Sequence, residues 1–76
     1  MNTSDRITRN QLVMGGKPCI RGMRITVGTI AGLVAAGRSR DEILNLYPYL
    51  ENEDISAALS YASWLSEAFD AELQTA

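Results

Sequence analysis

The chain has 76 residues, enough for one small domain that buries only about 60% of the surface its unfolded form exposes. Its hydrophobic content of 46% supplies material for a core, and a partner or second copy would add stability to so small a domain. The sequence contains no histidine and one cysteine. Because it offers neither a histidine-activated nucleophile nor a cysteine pair for zinc, we predict that the protein is not an enzyme and needs no cofactor.

The net charge of −2 conceals a strong division along the sequence. Residues 1–40 carry all seven lysines and arginines and one acid, a net charge of +6, whereas residues 41–76 carry eight acids and no base. Such asymmetry suggests two surfaces with different partners, of which the basic one suits nucleic acid. Mutual attraction between the halves, or a solvated acidic face, explains the pattern equally well.

The single cysteine, Cys19, cannot form a disulfide within the chain. The sequence contains neither a charged-then-apolar leader nor a run of 18 apolar residues. We therefore expect a reduced cytoplasmic protein without a membrane role, in which Cys19 is a small buried hydrophobe.

The first 25 residues predict a basic ribbon or arm. Short apolar runs at Ile7–Arg9 and Ile20–Ile25 predict extended segments on either side of a turn-rich GGKP sequence at 15–18. The sequence does not decide whether this ribbon pairs within one chain or across a dimer.

The first helix is predicted over Val27–Ala36. Thr26 is a suitable N-cap, Ile25 and Ile30 are placed to form a hydrophobic staple, and Gly37 supplies the C-terminal stop. The helix contains two interior glycines, so tertiary contacts must hold it in place.

The second helix begins at the clearest local signal in the chain. Ser39 followed three residues later by Glu42 is a capping box, and Pro48 ends the helix near Tyr47. A capping box marks a helix start and carries no function of its own.

The third helix is predicted from Asn52 to about Phe69 and has two adjacent apolar stripes. The first stripe, expected to face the core, consists of Ile55, Leu59, Ala62, Leu65 and Phe69. The second consists of Ala57, Tyr61, Trp64 and Ala68. The acids Glu51, Glu53 and Asp54 surround the start of this helix, where interaction with the helix dipole is favoured over a cation site.

These elements predict one domain over residues 1–76. Its parts are a basic ribbon at 1–25, a three-helix bundle at 26–69 and a polar tail at 70–76.

The entry into the second helix, G-x-S-x-x-E-I at 37–43, and the turn around Pro48 and Leu50 reproduce helix-turn-helix spacing. Further family-like segments are GGKPCIRGMRI at 15–25, AAG at 35–37, YPYL at 47–50 and EDISAALSYA at 53–62. With these segments the chain closely resembles the DUF433 family over roughly residues 7–65. The resemblance implies a mainly α fold: a three-helix, homeodomain-like helix-turn-helix bundle with a short β-structured N-terminal ribbon. It also implies the antitoxin of a bacterial type II toxin–antitoxin pair, whose toxin is a PIN-like ribonuclease of the DUF5615 type.

Any DNA contact is predicted at basic residues outside the third helix. That helix normally reads DNA in such a fold, yet here it has no lysine or arginine, and its acids would oppose phosphate contact. The predicted DNA-binding residues are Lys17, Arg21, Arg24, Arg38 and Arg40. Solvated surface, or ion pairing with the acidic half, is the competing explanation for these five.

Protein partners are assigned to the third helix. Aromatic residues often anchor interfaces, and acids suit the basic RNA-binding surface of a toxin. The predicted partner-binding residues are the apolar Tyr61, Trp64, Leu65 and Phe69 with the acids Glu67, Asp70 and Glu72.

The main functional hypothesis is an antitoxin that neutralises a PIN-like toxin by direct binding, as a homodimer or hetero-oligomer that also represses its own operon by binding operator DNA. The alternative is a stand-alone helix-turn-helix transcriptional regulator. A purely structural dimer subunit is a third possibility.

Overall fold

The described part of the chain forms three helices and one two-stranded sheet. A computed structural model describes residues 3–75, with side chains described for residues 5–66. The strands are β1 (Ile7–Thr8) and β2 (Cys19–Ile20), the helices are α1 (Val27–Ala35), α2 (Arg40–Leu46) and α3 (Asn52–Thr75), and 3₁₀ turns cover Thr3–Arg6 and Met14–Gly16. This architecture confirms the prediction of a mainly helical fold with a short β-structured N-terminal ribbon.

The N-terminal ribbon pairs within the chain. β1 and β2 are antiparallel, with Ile7 opposite Ile20 and Thr8 opposite Cys19. On its other side, β2 is bridged from Cys19 to Thr26. Because all three segments belong to one chain, the ribbon needs no second copy to form its sheet.

A tight turn follows β2. The Met23 N–H donates to the Ile20 carbonyl at 2.8 Å, and Arg21 and Gly22 have φ angles of 46° and 75°. Positive φ at both central residues is typical of a type I′ turn, which glycine adopts freely but which costs an L-residue such as arginine roughly 1 to 2 kcal/mol. The predicted extended segment Ile20–Ile25 is therefore wrong in its middle, where the chain reverses.

α1 has the predicted cap and stop. The Thr26 hydroxyl accepts the Thr29 N–H at 3.1 Å. Gly37 has a φ of 88°, and the N–H groups of Gly37 and Arg38 donate back to carbonyls of the last turn, the pattern of a Schellman motif. The helix ends at Ala35, one residue before its predicted end.

The capping box at the start of α2 is confirmed. The Ser39 hydroxyl accepts the Glu42 N–H at 3.1 Å, and a Glu42 carboxylate oxygen accepts the Ser39 N–H at 2.9 Å. The helix ends at Leu46, just before Tyr47 and Pro48.

The core draws on the ribbon, all three helices and the α2–α3 turn. Its fully or nearly fully buried members are Ile20, Val27, Ile30, Ile43, Leu50, Ile55 and Ala58. Cys19 is also buried, as predicted. The first stripe of α3 packs on this core through Ile55, Leu59 and Ala62, but Leu65 is 48% exposed, so the stripe leaves the core earlier than predicted.

α3 is longer than the sequence prediction. It continues to Thr75, so the predicted end near Phe69 is wrong, and most of the predicted polar tail at 70–76 is helical. Its later residues are predominantly good helix formers, and neither glycine nor proline interrupts them. Across the residues that the structure describes, no helix combines the length and apolarity needed to cross a bilayer.

Candidate protein-interaction surface

One buried carboxylate organises the end of α3 that meets the ribbon. Asp54, the third residue of α3, is only 1% exposed. Its oxygens accept hydrogen bonds from Arg6 Nη1 at 2.8 Å, from Arg21 Nε and Nη2 at 3.1 and 2.9 Å, and from the Glu51 N–H at 2.8 Å. Arg6 also pairs with the Glu51 carboxylate at 2.8 Å. We call Asp54, Arg6, Arg21 and Glu51 the Asp54 cluster.

The Asp54 cluster keeps its carboxylate ionised despite burial. Desolvation is the largest single influence on the pKa of Asp54 and raises it, but the hydrogen bonds from Arg21, Glu51 N–H and Arg6 together outweigh it and hold the pKa below its usual value. Correspondingly, hydrogen bonding to Asp54 raises the pKa of Arg21. The oxygens of this acidic group are therefore engaged by arginine and backbone donors.

Arg21 connects the tight turn after β2 with the α2–α3 turn and with the start of α3. It lies in the tight turn after β2, its Nη2 donates to the Tyr49 carbonyl at 3.0 Å, and its guanidinium pairs with Asp54. These bonds hold an arginine whose backbone adopts the unfavourable positive φ of 46°. Arg21, one of the five predicted DNA-binding residues, therefore forms an ion pair with the acidic half of the chain.

Two further predicted DNA-binding residues also make contacts within the chain. Arg38 pairs with Glu42 at 3.4 Å, one helical turn away. Arg40 Nη1 donates to the Asn52 side-chain oxygen at 2.8 Å and to its carbonyl at 3.2 Å, which joins α2 to the start of α3. The pKa of Glu42 is lowered, chiefly by the hydrogen bond from the Ser39 N–H and next by the hydrogen bond from Arg38.

The remaining two predicted DNA-binding residues, Lys17 and Arg24, are exposed like the other three but differ from them in their contacts. Among the described side chains, those of Lys17 and Arg24 form no hydrogen bond or ion pair. Lys17 lies beside the N-terminus of α1, whereas Arg38 follows its C-terminus, and a nine-residue helix is about 13 Å long. The structure therefore does not gather all five cations into one patch.

The predicted partner-binding residues whose side chains are described lie on the outer half of α3. Trp64 is 60% exposed and Leu65 is 48% exposed, while Tyr61 is half-buried. The rings of Tyr61 and Trp64 are tilted by 52° with centroids 5.8 Å apart, a favourable aromatic contact. The predicted residues Phe69, Glu67, Asp70 and Glu72 lie outside the described side chains.

A groove runs beside Leu65, between α1 and α3. Its volume is about 770 Å³. It is lined by Lys17, Pro18, Thr26, Val27, Gly28, Thr29, Ala62, Leu65 and Ser66, and we call it the α1–α3 groove. The lining is mainly apolar, with one lysine at the edge.

The sequence prediction missed Arg6 and the buried role of Asp54. Asp54 was assigned to the helix dipole, yet it precedes Ala57 and Ala58 by three and four residues, which places it on a buried helical face. An acid in an apolar position was the available signal that a cation would pair with it.

The fold and surface define a small three-helix protein with a two-stranded N-terminal sheet and an exposed aromatic edge on its longest helix. The family model described as "Protein of unknown function (DUF433)" matches residues 7–62, and the chain belongs to this family.

A relative and a solved structure agree with the family assignment. The uncharacterized protein y4eO of Sinorhizobium fredii (strain NBRC 101917 / NGR234) is 39% identical over 56 residues, which are 74% of this chain. Those residues span only 25% of the length of y4eO. The crystal structure of a DUF433 member from Anabaena variabilis ATCC 29413 is 36% identical, with a TM-score of 0.78 over 92% of this chain and 69% of that one.

Proposed function

We propose that this protein is a cytoplasmic antitoxin of a bacterial type II toxin–antitoxin pair, which neutralises a PIN-like ribonuclease toxin by direct binding through α3. The exposed Tyr61–Trp64 edge carries the proposal. An indole that is 60% exposed on a helix surface is the kind of residue that anchors protein interfaces. The family resemblance supplies the expected partner, a protein of the DUF5615 type.

Charge supports a protein partner for this helix. The sequence of α3 has five acids and no base, and four acids remain when the buried, arginine-paired Asp54 is set aside, so this helix is suited to a basic protein and repels phosphate. An acidic helix that covers a basic RNA-binding surface would exclude RNA by occupancy and by like charge.

The test is co-expression with the product of the adjoining gene. We expect a stable complex and restored growth of cells that express the toxin. Trp64→Ala should weaken the complex by about tenfold or more, because it removes the interface anchor. Tyr49→Ala is the matched control: Tyr49 is an aromatic residue, 80% exposed, in the α2–α3 turn, and its loss should leave the complex unchanged. Absence of a complex and of rescue would reject the proposal.

Autorepression through a homeodomain-like helix-turn-helix is a second candidate, and it would depend on exposed cations. Lys17 and Arg24 are the best placed, since Arg21, Arg38 and Arg40 bond within the chain. Operator binding should weaken steeply with salt, and Lys17→Ala with Arg24→Ala should reduce the salt dependence. Operator binding indifferent to both substitutions would reject this placement.

A further inference from the structure

A polar cavity lies in the loop between β1 and β2. Its volume is about 480 Å³, which falls within the range of roughly 300 to 1,000 Å³ that small-molecule pockets occupy. We call it the Arg9 pocket, and it is lined by Arg9, Asn10, Gln11, Gly15 and Gly16. None of these described lining residues is acidic, and the sequence from 6 to 40 contains seven cations and no acid. The local charge therefore favours an anionic ligand.

The guanidinium of Arg9 is oriented by one hydrogen bond and has further donors to offer. Its Nε donates to the Gly16 carbonyl at 3.2 Å, which joins the two ends of the pocket lining. Its two terminal nitrogens, Nη1 and Nη2, form no hydrogen bond or ion pair with any residue that the structure describes. Together they form a planar fork whose parallel N–H groups match two oxygens of one phosphate.

The rest of the pocket lining adds neutral donors and a wall without side chains. The Asn10 side-chain oxygen accepts the Leu12 N–H at 2.9 Å, so the Asn10 amide nitrogen remains as a donor. The side-chain amide of Gln11 forms no hydrogen bond with the described part of the chain. Gly15 and Gly16, with φ angles of 66° and 83°, have no Cβ, so a ligand oxygen can approach the main chain closely. This set of donors suits an oxyanion better than a cation or an apolar group.

We propose that the Arg9 pocket binds a phosphate group. The fork of Arg9 donates to two phosphate oxygens, and the side-chain amides of Asn10 and Gln11 donate to the others. Lys17, the residue after Gly16, adds a second positive charge to the same loop. The phosphate belongs either to a nucleic-acid backbone or to a small phosphorylated molecule, and the experiments below distinguish these two sources. The pocket contains none of the residues assigned to toxin binding, so this site is independent of the proposed toxin.

Titration of the full chain with inorganic phosphate, followed by NMR, tests the site directly. We expect saturable shifts of the Gly15 and Gly16 amide signals and of the Arg9 Nε–H signal. Sodium chloride at the same ionic strength should not produce these shifts, because chloride lacks the several oxygens that the fork and the amides bind together.

Two substitutions of Arg9 separate the fork from its charge. Arg9→Gln should raise the dissociation constant of inorganic phosphate by about tenfold or more, because it removes a charged bidentate donor. Arg9→Lys keeps the charge but not the fork, so it should recover only a minor part of the affinity. Arg38→Gln is the matched control for net charge, since Arg38 is exposed and lies outside the Arg9 pocket, and it should leave phosphate binding unchanged. Circular dichroism establishes that each variant is folded.

Fluorescence anisotropy with a labelled DNA duplex identifies the source of the phosphate. If a nucleic-acid backbone occupies the pocket, Arg9→Gln should weaken duplex binding and reduce its salt slope by about 1. If a small phosphorylated molecule occupies it, Arg9→Gln should abolish binding of inorganic phosphate and leave duplex binding as in wild type. Either result supports a phosphate site at Arg9.

Three outcomes would overturn the proposal. Wild-type protein whose loop signals do not saturate with phosphate has no such site. Equal effects of Arg9→Gln and Arg38→Gln would reduce phosphate binding to the net charge of the chain. Full affinity in Arg9→Lys would reject bidentate binding by the guanidinium.

Discussion

The two parts of α3 differ in what covers them. At its N-terminal end, the Asp54 cluster buries a carboxylate against two arginines from the ribbon, and Ile55 and Ala58 lie in the core. Nearly two turns after Ala58, Trp64 and Leu65 are about half exposed or more. One helix therefore contributes to fold stability at its N-terminal end and exposes large apolar side chains further along. Substitutions at the N-terminal end should therefore affect folding, whereas substitutions further along should affect association.

Asp54→Asn should show the largest effect. The substitution leaves Arg6 and Arg21 beside an uncharged side chain. Breaking this buried ion pair should lower the free energy of unfolding by about 3 kcal/mol. The loss is at the lower end for a buried pair because Arg21, with a side chain that is 37% exposed, can partly rehydrate. Urea unfolding followed by circular dichroism measures the change. Glu53→Gln, an exposed acid in the same helical turn, is the matched control and should cost about 0.5 kcal/mol. Equal losses for the two variants would contradict a special role for Asp54.

The pH dependence of stability should reveal the same carboxylate with a smaller effect. Because folding lowers the pKa of Asp54, its contribution is fully present above the pKa of an unfolded aspartate, about 4, and is lost as pH falls through the lower folded-state value. The free energy of unfolding should therefore decline below about pH 4. This decline should be shallower in Asp54→Asn than in wild type, and superimposable curves would contradict the assignment.

Trp64→Ala should have the smallest effect on folding. Trp64 is 60% exposed and its ring contact is with Tyr61, so the free energy of unfolding of the monomer should change by no more than about 0.5 kcal/mol. The measurement is made at a concentration where the chain is monomeric, and wild type under the same conditions is the control. A loss comparable to that of Asp54→Asn would place Trp64 in the fold and remove the contrast along α3.

Local signals in the sequence predicted most helix boundaries. These signals are the Thr26 cap and the Gly37 stop of α1 and the capping box of Ser39 and Glu42 in α2. Each signal involves residues no more than four positions apart, so it can be recognised without knowledge of the fold. The end of α3 was mispredicted because no such local signal marks it. The residues after Phe69 become polar, but none of them is a helix stop.

Non-local pairing lay beyond sequence reasoning. Arg21 and Arg6 reach Asp54 across 33 and 48 residues, and the charge division along the chain permits many such pairs without selecting one. Attraction between the two halves was one explanation of that division, and the Asp54 cluster is an instance of it. The exposed aromatic edge was easier to predict because Tyr61 and Trp64 are neighbours on a single helix.

The buried thiol of Cys19 can be used to measure local opening of the ribbon. Cys19 is the only cysteine of the chain, is 2% exposed and bonds to the Lys17 carbonyl at 3.3 Å. A thiol reagent can modify it only when the sheet opens, so the rate of labelling in excess of that expected from global unfolding measures how often the ribbon detaches while the helices stay folded. The chain thus carries a built-in probe of local opening that requires no engineered label.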